Sequence, residues 1–460
     1  MTTRFDAIVI GTGQAGPPLA ARLTEAGMKT AIIERKLFGG TCVNVGCIPT
    51  KTLVASARAA YVARRAADFG VVLDGPVSVD MAKVKARKDA IVRESNQGIA
   101  GWLKSMDRLT VYEGHARFDG PHRVRVKGER LEAERIFINV GGRAYVPDLP
   151  GLAGVPYLTN SSMMAVDFLP PHLAIVGGSY VGLEFAQMYR RFGSRVTVIE
   201  MSDRLIPRED PDIAAAVKRI LAAEGIKLRL SATCLAAEKR GDQIAIAVDC
   251  ADGPPEILAS HLLLAVGRIP NTGDLGLDKA GIATDARGFI TVDDELRTSV
   301  PGIWALGDCN GRGAFTHTSY NDYEIVAANL LDGGTRRLSD RIAAYALYID
   351  PPLGRAGQSE REVRAAGRKA LVGKLAMSSV GRARERGETQ GLMKILIDAE
   401  SERIFGTAML GIEGDEVAQS ILGLMYAGAS YKVIERAMYV HPTVSEYLPT
   451  LVGDLRPLRR

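Results

Sequence analysis

A doubly wound α/β chain, with two nucleotide-binding units followed by an α+β module, is predicted by three features of the 460 residues. Two of them are copies of one pattern: an apolar strand, a glycine turn, a helical stretch, and a second strand ending in an acid. Ala7 to Ile10 leads into Gly11-Thr12-Gly13-Gln14-Ala15-Gly16, and Ala31-Ile32-Ile33 ends in Glu34. Leu173 to Val176 leads into Gly177-Gly178-Ser179-Tyr180-Val181-Gly182, and Val196 to Ile199 ends in Glu200. The third feature begins near Ala343, where apolar strands (Leu392 to Ile397, Ile404 to Leu410) and a helical run (Glu416 to Ala427) carry no nucleotide motif. One core is too few for this length, and roughly three domains are expected.

In the first unit Gly11 allows the tight turn and Gly13 lets the backbone approach a pyrophosphate. Gly16 permits close packing of a helix whose positive end faces that phosphate. Glu34 is placed to accept ribose hydroxyls. A lone glycine turn says little; strand, turn, helix, strand and acid in order specify a dinucleotide site. The second unit has Ser179 in the place of the middle glycine, a side chain small enough for the cofactor still to fit. Glu200 hydrogen-bonds a free 2′-hydroxyl and repels a 2′-phosphate, so NADH is preferred over NADPH. Arg204 is the nearby group able to accommodate the extra phosphate, which keeps NADPH possible.

Cys42 and Cys47 stand in the run Gly39-Gly40-Thr41-Cys42-Val43-Asn44-Val45-Gly46-Cys47-Ile48-Pro49-Thr50-Lys51. A regular helix rises about 1.5 Å per residue and holds such a pair too far apart for a disulfide. The segment must be distorted, and Gly46 and Pro49 supply the means. On spacing alone the pair reads equally as a reducible disulfide or as two buried structural thiols. Cys234, Cys250 and Cys309 are expected to be ordinary buried or half-buried thiols.

Bulk properties narrow the class. Hydrophobic residues make up 47% and charged ones 24% of the chain, as in a soluble globular enzyme. The net charge of +5 is spread out apart from Arg382 to Arg386 and the tail Arg456, Arg459 and Arg460, which read as solvated surface rather than a nucleic-acid footprint. The first strand begins at once, leaving no room for a secretory leader, and no stretch is apolar for long enough to span a bilayer. A cytoplasmic protein is expected, and in a reducing compartment a disulfide is catalytic rather than structural.

Near the C-terminus, His441-Pro442-Thr443-Val444-Ser445-Glu446 couples an imidazole, which titrates near neutrality, to a carboxylate able to orient it. That is a proton shuttle in outline.

The run Gly39 to Lys51 resembles the active-site segment of the class I flavoprotein disulfide reductases, the family of glutathione reductase, dihydrolipoamide dehydrogenase and mercuric reductase. The likeness covers nearly the whole chain. It implies two Rossmann-like domains, for FAD and NAD, plus a C-terminal α+β dimerisation domain. The expected division is 1–148 and 269–340 for FAD, 149–268 for NAD(P), and 341–460 for dimerisation. Ile136 to Arg143 and Leu262 to Asn271 resemble the family's crossings between the FAD and NAD domains. Gly302 to Asp308 resembles its second FAD motif, with Asp308 accepting a hydrogen bond from the ribityl chain.

By the same resemblance Cys42 meets the substrate, and Cys47 lies against the flavin as a charge-transfer thiolate. Lys51 and Glu184 form an ion pair beside flavin N5, and Tyr180 covers the nicotinamide pocket until the cofactor enters. His441 and Glu446 act as acid/base across a homodimer interface. FAD contacts fall to Gly11, Gly13, Gln14, Ala15, Gly16, Glu34, Arg35, Gly40, Thr41, Lys51, Gly141, Gly307 and Asp308. NAD contacts fall to Gly177, Gly178, Ser179, Tyr180, Val181, Glu200 and Gly267. No metal ligand is assigned.

The implied activity is an NAD(P)H oxidoreductase that sends electrons through flavin to the Cys42/Cys47 disulfide and on to a small disulfide, a metal ion or another oxidant. Phe315 to Asp322, followed by a helix expected over Tyr323 to Leu330, looks like the branch holding mercuric-reductase-like and reactive-chlorine-resistance flavoproteins. His317 there is read as a capping or surface residue, or as a flavin or substrate contact. Three rivals stay open: dihydrolipoamide dehydrogenase, a mercuric-reductase-like metal reductase, and a redox-sensing flavoprotein. No cysteine follows Cys309, and soft Hg²⁺ needs the thiolate relay that mercuric reductases carry near that end. His441, which those enzymes lack, also counts against efficient mercury reduction.

Overall fold

The computed structural model describes residues 2–249 and 253–459; Cys250 and Arg460 lie outside them, and of Cys234 only the backbone is described. The first strand, Thr2–Ile10, runs between Thr30–Glu34 and Glu129–Ile138, and all three are parallel. Leu109–Glu113 extends this sheet on one side and Ile303–Ala305 on the other, both parallel. Residues Ala7 to Ile10 are almost fully buried, as a parallel strand covered on both faces must be. Gly11 follows at φ +103°, and a Cβ there would sit 2.3 Å from the Asn139 carbonyl. Only glycine fits this turn.

A second parallel sheet orders Lys227–Arg229, Arg195–Ile199, His172–Val176, His261–Leu264 and Tyr157–Leu158. His172 is a satisfied interior histidine, bonded to the Leu258 carbonyl at 2.8 Å and Thr197 Oγ1 at 2.9 Å. The two sheets are joined where Gly142–Ala144 pairs antiparallel with Arg268–Pro270. The C-terminal part is one antiparallel sheet, ordered Ala344–Leu347, Leu353–Gly357, Ile404–Leu410, Leu392–Asp398, Ala370–Ala376 and Arg456–Pro457, with helix Gly414–Tyr426 against it.

All three parts meet around Asp350. Its carboxylate takes Arg58 Nη1 at 2.7 Å from helix Cys47–Arg64, and Arg191 from helix Tyr180–Phe192. Arg58 also reaches Glu388 at 2.8 Å, and Arg191 reaches Glu224 at 2.7 Å. Every charge in this buried set has an opposite neighbour, which is the condition for placing charge inside a protein. Among the described residues no helix is long and apolar enough to cross a membrane.

Candidate functional site

The cysteine segment is broken as its spacing requires. A short helix, Gly40–Asn44, holds Cys42, Val45 and Gly46 interrupt it, and helix Cys47–Arg64 starts afresh at Cys47. Gly46 is needed for room: a Cβ would lie 2.8 Å from the Thr41 carbonyl and 3.2 Å from Cys42 Cα. Pro49 falls in the first turn of the new helix, where no donor is missed. Both cysteines are thiols here rather than a closed disulfide.

The two sulfurs are electrically unlike. The Cys42 S–H donates to Cys47, which with burial pushes Cys42 far above the ordinary thiol range. The same bond draws Cys47 down to about 6; burial opposes this, while Thr316 and Lys51 assist it. Thr316 Oγ1 lies 3.1 Å from Cys47 Sγ. Near neutral pH Cys47 is the thiolate and Cys42 the proton holder.

Lys51, one turn along from Cys47, reaches across to helix Tyr180–Phe192 and pairs with Glu184 at 2.8 and 3.0 Å. Glu184 is 7% exposed, and its Oε1 also accepts the Tyr348 amide at 3.0 Å. The Lys51 ammonium stands 4.6 Å from the centre of the Tyr348 ring. Tyr180, at the start of the same helix, meets Tyr345 and Phe315 edge-on and donates its hydroxyl to Glu209 at 2.8 Å.

Helix Thr316–Leu331 begins at Thr316 rather than at Tyr323. The Phe315 amide donates to Thr318 Oγ1 and that hydroxyl donates back to the Phe315 carbonyl, which closes the first turn early. His317 therefore lies in the first turn, stacked on Phe315, with Nε2 at 2.6 Å from the Ala344 carbonyl. Burial lowers its imidazole below the usual range.

The glycine turns have the donors a dinucleotide needs. Among the described residues the amides of Gln14 and Ala15 have no hydrogen-bond acceptor, and they precede helix Gly16–Glu25 at its positive end. The Ser179 amide is equally free ahead of helix Tyr180–Phe192, whose first turn exposes Val181. The first turn is tied to the cysteine segment by Gln14 Nε2, which donates to the Gly39 carbonyl at 3.1 Å beside Gly40 and Thr41. Asn139 braces it from below, accepting the Gly16 amide and donating to the Leu306 carbonyl.

Glu34 Oε2 accepts the Thr12 amide at 3.0 Å, and Glu200 Oε2 accepts the Gly178 amide at 2.6 Å, so each acid also orders its own turn. Among the described residues the Nε of Arg204 is buried without a hydrogen-bond acceptor. Arg35 points to Asp274 at 3.1 Å. Gly141 and Gly267 flank the joining ribbon, and the Gly307 amide donates to Asp322. Burial raises the Asp308 carboxyl despite Arg268 Nε at 3.4 Å.

His441 Nδ1 lies 2.8 Å from Glu446 Oε2 on the C-terminal domain, with the imidazole side chain 80% exposed. Among the described residues neither bonds to the cysteine segment of its own chain. Sequence reasoning passed over Thr316, Glu209, Asn139 and Tyr348, since nothing in their local patterns sets them apart.

Two dinucleotide-type domains meeting a helix-borne dithiol, with a third domain beside them, define a flavoprotein disulfide reductase. The chain belongs to the pyridine nucleotide-disulphide oxidoreductase family: that family's model matches residues 5–322, and the model of its dimerisation domain matches 343–452. It is an oxidoreductase whose family uses FAD and NAD(P)H. It is 34% identical to the probable pyridine nucleotide-disulfide oxidoreductase RclA of Escherichia coli, across 97% of this chain and 98% of that one. A dihydrolipoyl dehydrogenase of Thermus scotoductus is 35% identical over 96% of each. The solved structure of the HOCl-induced flavoprotein disulfide reductase RclA from Escherichia coli superposes with a TM-score of 0.89 at 34% identity, covering 98% and 99% of the two chains. Its Cu(II) complex matches with a TM-score of 0.89 at 33% identity over the same shares.

Proposed function

We propose that this chain is an NADH-preferring reductase that delivers electrons through Cys47 and Cys42 to a small thiophilic oxidant, a disulfide or a soft metal ion, and works as a homodimer in the cytoplasm. The observation that carries this reading is the placement of the pair: Cys47 opens helix Cys47–Arg64 with Thr316 Oγ1 3.1 Å from its sulfur and the Glu184-held Lys51 one turn along, while Cys42 stands on the adjoining short helix Gly40–Asn44. Bound flavin supplies the two-electron exchange between nicotinamide and dithiol.

The chain's own residues do the rest. The Lys51 cation, held by Glu184, sits beside Cys47 and stabilises negative charge there. Cys42 passes its proton to the His441 imidazole and attacks one sulfur of a disulfide, expelling the other as a thiolate and forming a mixed disulfide; Cys47 then attacks Cys42 Sγ, which closes the Cys42–Cys47 disulfide and releases the second thiolate. The leaving thiolate takes a proton from His441, which Glu446 orients; because that pair lies apart from its own dithiol, we assign it to the partner's site. Tyr180 covers the nicotinamide pocket, and Glu200 selects the unphosphorylated ribose. The division 1–148, 149–268, 269–340 and 341–460 belongs to the same reading.

A metal-ion oxidant is favoured by one specific likeness, the relative solved as a Cu(II) complex. Purified protein assayed for NADH consumption with lipoamide, oxidised glutathione, Cu²⁺ and Hg²⁺ separates the readings. Loss of turnover in Cys42→Ala is expected for either oxidant, and retention of full turnover excludes the dithiol as the route.

A further inference from the structure

Glu209 is an acid inside the protein, with a side chain 1% exposed, and it faces a tyrosine that the proposed mechanism requires to move. Its Oε1 accepts two phenols at once, Tyr180 at 2.8 Å and Tyr345 at 2.7 Å. Its Oε2 lies 3.1 Å from Arg355 Nε, with the N–H not aimed at it; the guanidinium spends Nη1 on the Thr407 carbonyl. Burial and the nearby carboxylate raise both phenols above their ordinary range, so both remain donors.

The acceptor is fixed to the C-terminal domain. Asp210 and Asp212, next along the chain, clasp Lys394 Nζ at 2.8 and 2.7 Å, and Glu360 completes the set at 2.9 Å. These three carboxylates lie close enough to hold a metal ion, but the Lys394 ammonium occupies their centre. Glu209 thus stays in place when the Tyr180 ring moves. The ring also meets Tyr345 and Phe315 edge-on, at 5.5 Å and 6.3 Å between centroids, and packs half-buried against the margin of the apolar core.

We propose that Glu209 is a latch that holds Tyr180 over the nicotinamide pocket, and that Tyr345 sets the strength of the latch by sharing the same oxygen. This rests on the reading of Tyr180 as the pocket's cover. A phenol bonded to a carboxylate is a strong contact, but one shared oxygen binds each phenol less tightly than it would bind either alone. When Tyr180 leaves, Tyr345 still donates to Glu209 Oε1 and the Arg355 guanidinium still stands 3.1 Å from Oε2 as its counter-charge, so opening does not leave a buried charge unpaired. NADH then binds only the open fraction, and its apparent affinity falls by that fraction. Glu209, Tyr345 and Lys394 are positioning residues in this scheme.

The test is the NADH concentration dependence of the rapid reduction phase in the holoenzyme, which separates half-saturation from limiting rate. Tyr180→Phe keeps the ring and removes the bond, so half-saturation should fall about fivefold, by more than any change in the limiting rate. Glu209→Gln should move it the same way, and the double variant should go no further than Tyr180→Phe. Tyr345→Phe should move it the opposite way, since Tyr180 then has the oxygen to itself. A merely structural role gives no such reversal of sign. If Tyr180→Phe and Tyr345→Phe both leave half-saturation unchanged while Tyr180→Ala alters it, the cover exists without a latch and the proposal fails. If Tyr180→Ala alters nothing either, the cover itself is lost and the latch with it.

Discussion

Cys47 Sγ and Thr316 Oγ1 lie 3.1 Å apart, so the first residue of helix Thr316–Leu331 touches the more acidic of the two sulfurs. The hydroxyl donates to the thiolate, and the positive end of the helix lies beside it. Removing the hydroxyl should cost the thiolate one of its three supports and leave Cys42 and Lys51. In Thr316→Val the Cys47 inflection is expected to rise by about one unit. The pH dependence of iodoacetamide alkylation at Cys47 in reduced protein measures it, and an inflection still at the wild-type position refutes the contact's importance.

Lys51 and Glu184 pose a different question, because Glu184 is far more buried than its partner. Among the described residues, Lys51→Met leaves that carboxylate with the Tyr348 amide as its remaining donor. A loss of about 1–3 kcal/mol is expected, since a buried charge without its counterion bears the desolvation cost. Lys51→Met with Glu184→Gln should regain most of the stability yet remain slow in turnover. Thermal unfolding and NADH turnover on the same three proteins check this, and a double variant as active as wild type contradicts a role for the cation.

Much of this arrangement could be read before any coordinates. The two strand, turn and acid units were legible because burial on both faces forces apolar runs and the turn forces glycine, so Ala7 to Gly16 and Leu173 to Gly182 mark themselves. The break between Cys42 and Cys47 followed from helix rise. Lys51 and Glu184 were different: 133 positions separate them, and only family resemblance joined them. Glu209 was out of reach for a physical reason. Its partners come from helix Tyr180–Phe192 and from strands Ala344–Leu347 and Leu353–Gly357, and no local pattern encodes a junction of three segments. The start of helix Thr316–Leu331 was missed because Thr318 caps it from inside the helix, which a search for a preceding polar residue does not detect.

Asp350 should make the union of the three parts sensitive to acid. Burial alone would raise its carboxyl, and Arg191 and Arg58 more than reverse that, leaving it below the ordinary range. Its folded pKa is thus below the unfolded value of about 4, so the stability it lends is complete above that pH and drains away as pH falls through the folded value. Asp350→Asn is expected to lose about 1–3 kcal/mol at neutral pH, softened because Arg191 keeps Glu224 and Arg58 keeps Glu388. The gap in Tm between wild type and variant should stay constant near neutrality and narrow below about pH 4. A gap that does not change down to strong acid would mean the carboxylate charge is not what holds the parts together.

His441 and Glu446 form a 2.8 Å pair on an exposed face, near Val440 at 76% and Met438 at 96% exposure. Apolar side chains left so open beside a polar pair suit a surface that a second copy covers. If the pair serves the partner's dithiol, each site draws Cys42 from one chain and His441 from the other. Cys42→Ser and His441→Ala chains should then each be inactive as homodimers. Co-expressed, they form hybrids in which one site carries both defects and the other carries neither. Random pairing makes half the dimers hybrids with one sound site of two, so disulfide reduction should recover to about a quarter of wild type. Activity that does not rise above the parents in the separated hybrid places the acid/base pair in its own chain's site or outside the reaction. A full recovery in the hybrid would be equally inconsistent, since it needs two sound sites where the exchange leaves one.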